Sequence, residues 1–215
     1  MTLYFISGLG ADQRVFKKLH LLDAYKIVYL DWIVPLQNEL ICDYAKRLSQ
    51  KINTLEPFFI IGLSFGGIIA TELSHSIHPH KTILISSISN SVELPRYFKI
   101  FKFLPIYKLV SKKTLDRTPL FIYKLMGVKN KEDEKLFHTM LLDTNIDFFK
   151  WAISSILTWK QDKPVTNLYH IHGDADLIFP IKKTNPDYVI SEGTHLMVYS
   201  NAVAVSSILS TILSR

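Results

Sequence analysis

The segment Phe58-Phe59-Ile60-Ile61-Gly62-Leu63-Ser64-Phe65-Gly66-Gly67 constrains this chain more than any other stretch. Pro57 precedes a nearly unbroken apolar run, the composition of a strand buried on both faces in a parallel sheet. From Phe65 to Ser76 the spacing is helical, so the glycines fall on a turn between strand and helix. Gly62-Leu63-Ser64-Phe65-Gly66 matches G-x-S-x-G in the strand–turn–helix context that gives the pattern meaning. A serine on so sharp a turn takes strained backbone angles that lift its hydroxyl clear of the sheet. The turn closes only where the residues two before and two after have almost no side chain, hence Gly62 and Gly66. The helix N-terminus leaves free N–H groups beside that hydroxyl. Ser64 is therefore the candidate nucleophile, and the N–H of Phe65 a candidate donor to a developing negative charge.

The rest of the chain repeats the alternation. Leu3 to Ser7 reads as a strand ending at Gly8-Leu9-Gly10, and Asp12 to Leu22 has helical spacing through Val15, Phe16, Leu19 and Leu22. Tyr25 to Leu30 reads as a second strand and Leu40 to Ile52 as an amphipathic helix. Thr82 to Ser86, Leu168 to Ile171 and Tyr188 to Ile190 are further strands, and Leu196 to Leu213 is helix-rich. Such alternation implies a mostly parallel sheet flanked by helices, with right-handed crossovers.

Between about Val92 and Pro164 the alternation lapses. A structureless loop of that length is implausible, and the helical patterns Lys135–Leu142 and Phe148–Trp159 point to a helical insertion. The expected organisation is a core of residues 1–91 and 165–215 with an insertion at 92–164. The insertion also stands apart in charge: from Arg96 to Lys163 there are fourteen Lys and Arg, Lys99 and Lys129 among them, against seven Asp and Glu. That excess of seven exceeds the +6 of the whole chain. It is either a solvated lysine face or a surface that attracts anionic substrates or lipid headgroups.

Several classes are argued against. A single cysteine, Cys42, permits no internal disulfide and reads as a small buried hydrophobe in a helix. The N-terminal apolar run lacks the basic flank and length of a signal peptide, and no stretch approaches the ~18–20 apolar residues of a membrane span. The expectation is a cytoplasmic protein with no stable membrane insertion and no nucleic-acid partner, its oligomeric state open. Gly8-Leu9-Gly10 lacks the third glycine of G-x-G-x-x-G, since position 13 is Gln13, so no nucleotide cofactor is expected. His172, Asp174 and Asp176 resemble a mixed metal-ligand set, but i, i+2 positions at a strand end diverge in a turn, and no metal is expected.

With Ser64 on its turn and Gly8-Leu9-Gly10-Ala11-Asp12 after the first strand, the chain resembles the α/β-hydrolase superfamily over almost its full length. It is most similar to a set of small bacterial members with a helical cap. The resemblance implies the chain order serine, acid, histidine, with a cap after the strand that follows the nucleophile helix. Its acid follows a late strand in a pattern like G-x-x-D-x-x-x-P, which Gly173, Asp176 and Pro180 match. Asp176 is the candidate acid and Asp174 its rival. The base belongs in a loop after the last strand, where Gly193-Thr194-His195 resembles the family's G-[GT]-H turn. His20, His75, His78, His80 and His138 lie elsewhere, and His170 and His172 alternate in a strand expected to be buried. By the same resemblance the second oxyanion donor is the N–H of Leu9. Many relatives have a histidine where this chain has Ser7, which leaves the internal bonding of that loop an open question.

The expected function is hydrolysis of a carboxylic ester, or thioester, of a small, partly apolar substrate through an acyl-enzyme. The insertion's aromatic residues and Trp32, at the end of the second strand, are candidate pocket walls. Two readings from other classes stand beside it: a ligand-binding module on the same fold with little or no turnover, and a membrane- or partner-docking protein using the basic insertion.

Overall fold

The computed structural model describes residues 1–128 and 130–214, with the backbone alone at Lys99; Lys129, counted above in the basic segment, lies outside the described residues. Six strands form one all-parallel sheet in the order β2-β1-β3-β4-β5-β6. They are β1 Thr2–Ile6, β2 Lys26–Tyr29, β3 Phe58–Leu63, β4 Lys81–Ile85, β5 Leu168–Gly173 and β6 Tyr188–Ile190. All six residues of β3 are buried, as its apolar run predicts, and β1 and β4 flank it.

The period of two along the strands sorts the core into two layers. Leu3, Phe5, Phe59, Ile61, Ile83 and Ile85 face one side, where they join one apolar cluster. Tyr4, Ile6, Phe58, Ile60 and Leu84 face the other and join a second. On the second side lie α1 (Ile41–Ser49), α2 (Phe65–Ile77) and α7 (Ile146–Thr158), through Tyr44, Leu48, Ile68, Leu73, Phe148 and Ala152. On the first lie α8 (Met197–Ser200) and α9 (Ala202–Leu213), through Tyr199, Val205, Leu209 and Ile212.

Between β4 and β5 the chain is helical, as expected. It forms α3 (Phe98–Phe103), α4 (Lys112–Asp116), α5 (Leu120–Met126), α6 (Lys131–Asp143) and α7. α6 sends Phe137, Met140 and Leu141 into the first cluster, while α7 covers the helix that carries Phe65. Asn130 and Asn145 cap α6 and α7, accepting from the N–H groups of Asp133 and Phe148 at 2.9 Å each, which is why these helices start where they do.

Two expectations need correction. The helix expected over Asp12–Leu22 is only a 3-10 turn, Gln13–Phe16, capped by Asp12. Val15 and Phe16 go into the core, and the N–H of His20 is taken by Ser206 Oγ of α9 at 3.0 Å, a tertiary bond that replaces helical continuation. Cys42 is exposed, not buried. α1 turns Tyr44, Ala45 and Leu48 inward, and two residues of helix rotate Cys42 about 200° from Tyr44.

The connection from β2 to α1 is pinned at one point. The Tyr44 hydroxyl accepts from the N–H of Ile33 at 3.0 Å and donates to its carbonyl at 2.9 Å. Tyr44→Phe leaves both groups of Ile33 without a partner and is expected to lower unfolding free energy by about 1–3 kcal/mol, read from the urea midpoint. An unchanged midpoint would show that water replaces the hydroxyl at no cost.

Candidate active site

Because all the strands run parallel, their C-terminal ends share one edge of the sheet, where loops meet ligands in open α/β sheets. Gly62 stands opposite Ile6 on one side and Leu84 on the other, and Gly173 stands opposite Ile190. The turns after β1, β3, β4, β5 and β6 therefore converge.

Ser64 sits between β3 and α2 at φ 52°, ψ −119°, a left-handed φ that a non-glycine residue adopts only when its surroundings hold it. They do so here. The N–H of Ser64 donates to Ile85 O at 2.9 Å, and its carbonyl accepts from Gly67 N–H at 2.9 Å and Ser87 Oγ at 2.7 Å. A side chain at Gly66 would collide with the carbonyl oxygens of Ile6 and Ser7, and one at Gly62 would lie 2.5 Å from Gly67 Cα. The two glycines read from sequence are thus demanded by close approach on opposite sides of the turn.

His195 and Asp176 come from neighbouring loops that are tied together. Ala175 N–H donates to Gly193 O at 3.0 Å, Asp174 N–H to Ile190 O at 3.2 Å, and Glu192 N–H to Asp174 Oδ1 at 2.7 Å. Asp174 spends its carboxylate on the loop that carries the histidine. Asp176 is the one that meets the imidazole: His195 Nδ1 lies 2.8 Å from Asp176 Oδ2, and Nε2 lies 2.8 Å from Ser64 Oγ. An ionised carboxylate only accepts, so the proton sits on Nδ1 and Nε2 is left to accept from the serine hydroxyl.

Asp176 is 2% exposed. Burial alone would raise its carboxyl, but the His195 partner and the N–H of Phe179 outweigh it and hold the group below the ordinary carboxylate range. Its second oxygen accepts from the N–H groups of Ile178 at 2.8 Å and Phe179 at 2.9 Å.

The loop after β1 lies against the serine: a Cβ at Gly8 would be 3.3 Å from Ser64 Cβ and 3.8 Å from its Oγ. Among the described residues no acceptor meets the N–H of Leu9 or of Phe65. Within this loop Ser7 Oγ donates to Ala11 O at 2.8 Å and Ala11 N–H to Gly8 O at 3.1 Å. Trp32 packs its ring 5.5 Å from Phe65 and 4.8 Å from Phe148. It walls a cavity of about 210 Å³ that also touches Ala11, Asp12, Met140 and Asn145 but not Ser64.

No family model matches this chain, and no curated protein does. Solved structures do. A bromoperoxidase from Bacillus anthracis superposes with TM-score 0.78 at 15% identity, over 100% of this chain and 92% of that one. The esterase EaEST from Exiguobacterium antarcticum gives 0.76 at 15% identity, covering 100% and 92%. A hydrolase from Oleispira antarctica, olei00960, gives 0.75 at 14% identity, covering 100% and 91%. The chain has the α/β-hydrolase fold. Its strands, taken in sheet order, bring the Ser64 turn to the middle of the sheet and the Asp176 and His195 loops to the β5–β6 side.

Around Ser64, His195 and Asp176 lie residues whose parts were not legible in sequence. Ser87 and Phe179 show no motif; only the packing puts the Phe179 ring 5.6 Å from the His195 ring. His170 and His172 are buried as expected, but their bonding is new. The proton on His172 Nε2 is directed at Phe179 O, 2.7 Å away, and the His170 Nε2 to His172 Nδ1 distance is 3.0 Å. His172 and Asp174 thus face different partners.

Burial pushes the His170 imidazole down to about 3 and lowers His172 as well. The folded protein therefore keeps both neutral while the unfolded chain protonates them below about 6.5. Their stability contribution is complete above that pH and falls as pH drops from about 6.5 toward 3. His170 alone is expected to cost ~2 kcal/mol between pH 7.5 and 5, read by urea unfolding. His170→Gln is expected to lose that part of the pH dependence; an unchanged slope would show that His170 is protonated in the fold.

Proposed function

We propose that this chain is a serine hydrolase that cleaves a carboxylic ester, or thioester, of a small, partly apolar substrate through an acyl-enzyme. The observation that carries the reading is the continuous line from Asp176 through His195 to Ser64, 2.8 Å at each link. The descriptions of two structural neighbours as an esterase and a hydrolase are in keeping with it.

In this reading Ser64 Oγ attacks the substrate carbonyl while its proton passes to His195 Nε2, and Asp176 stabilises the imidazolium without taking up the proton. The oxyanion of the tetrahedral intermediate accepts from the N–H groups of Leu9 and Phe65, which lack internal acceptors; one such donor is typically worth ~10²–10³ in rate. Collapse breaks the bond to the alcohol or thiol, which leaves with the proton from Nε2. Water then gives a proton to His195 and attacks the acyl carbon, and a second collapse returns the acid and free Ser64. No step needs a cofactor. Residues 92–164 serve as the cap, and Trp32 contributes an apolar wall through Phe65, on which its ring packs, since the cavity it lines does not itself reach Ser64.

The test is labelling by a fluorophosphonate, with the adduct mapped by mass spectrometry. Wild type is expected to be modified at Ser64, while Ser64→Ala and His195→Ala lose the label. Against an ester and thioester panel Asp176→Asn should lose kcat by about 10⁴, the cost of the wrong tautomer, while Asp174→Asn loses far less. A folded wild-type protein that neither labels nor turns over would leave the ligand-binding reading in its place.

A further inference from the structure

The chain from Arg96 to Lys113 is unlike the rest of the surface. Ile100, Phe101, Phe103, Leu104, Ile106 and Leu109 are all exposed, Phe103 at 82% and Leu109 at 81%. Six basic residues fall in the same span, and no Asp or Glu occurs from Leu94 to Leu115. Of these cations Arg96, Lys102, Lys108, Lys112 and Lys113 are exposed. Scattered apolar residues on a surface need no explanation, but six exposed ones within the ten positions 100–109 point to an interaction site.

The segment is held on its inner side. The Phe98 ring stacks on Phe179 at 5.9 Å, and Tyr97 Oη donates to Ile178 O at 2.5 Å. Ile178 and Phe179 are the residues whose N–H groups hold Asp176. The exposed apolar side chains thus stand on a platform tied to the acid loop, at the same edge of the sheet as Ser64.

We propose that the Phe98–Leu109 segment docks this protein on an anionic phospholipid surface. Charge selects this occupant. A second copy of the chain would set two wholly basic segments against each other, and a nucleic acid would gain little from exposed Ile and Leu. A bilayer interface with anionic headgroups accepts both features, burying the apolar side chains shallowly while lysines meet phosphates. Such docking is peripheral: no helix among the described residues is long and apolar enough to cross a membrane. A consequence, which rests on the hydrolase reading above, is that the substrate is an amphiphile drawn from that surface.

Vesicle flotation of the full chain tests this without reference to activity. Wild type and Ser64→Ala are expected to float equally with phosphatidylcholine vesicles containing phosphatidylglycerol, to stay behind with phosphatidylcholine alone, and to be released by high salt. Phe103→Ser with Leu104→Ser should abolish flotation, while Lys102→Gln and Lys108→Gln should each weaken partitioning about fivefold. These residues are exposed, and an unchanged thermal midpoint would show each variant folded. Absence of flotation on anionic vesicles overturns the proposal, as does flotation indifferent to salt and to both sets of variants. So does a wild-type dimer in light scattering that Phe103→Ser with Leu104→Ser dissolves, which would make a second copy the occupant. Flotation by a protein that fails to label at Ser64 would sink the hydrolase reading and leave the docking surface standing.

Discussion

The close approach of backbone to backbone at the end of β3 is the constraint on which the rest depends. Gly66 lies against the carbonyls that close β1, and Gly62 lies against the start of α2. Neither contact leaves room for a side chain, and together they hold Ser64 at a positive φ with its hydroxyl 2.8 Å from His195 Nε2. The strain is offset by ordinary interactions: bonds to Ile85, Gly67 and Ser87, and the burial of every residue of β3. A strained residue persists only when its neighbours over-determine it, and here the two adjacent strands do so.

From that fixed point the geometry of the other two side chains follows by packing of loops on loops. The acid loop after β5 and the histidine loop after β6 share backbone hydrogen bonds, and the Asp174 side chain adds another. The acid loop is braced from behind by His172 and from outside by Tyr97. An imidazole placed to meet both a carboxylate and a hydroxyl tolerates little error, so support of this kind is as much a part of the site as the groups themselves.

The same bracing joins the site to the helical segment after β4. Tyr97 and Phe98 touch the loop that holds Asp176, and the residues immediately following them carry the exposed apolar and basic side chains. A change on that outer surface is two residues of contact away from the carboxylate. The Asp176 loop and the exposed apolar segment are neighbours here because Tyr97 and Phe98 join them.

Strands and their order along the chain were legible in the sequence because a parallel sheet buried on both faces demands near-continuous apolar runs, and glycine-flanked turns have few alternatives. Ser64 was legible for the same reason, and His195 and Asp176 through their resemblance to a known spacing. What periodicity misread was local: the residues 12–22 show helical spacing, but the N–H of His20 goes to Ser206, a partner 186 positions away. Likewise the spacing selected Asp176 over Asp174 but carried no sign of what Asp174 does, which is to accept from the N–H of Glu192 in the neighbouring loop. The sequence by itself determined the fold class and named the candidate side chains, since the strands rest on side-chain volume and period. Only the tertiary structure decided what Asp174, Ser87 and Phe179 do around these groups and where the apolar, basic segment lies relative to them. Those relations are set by contacts between strands and loops far apart in the chain, for which local pattern carries no signal.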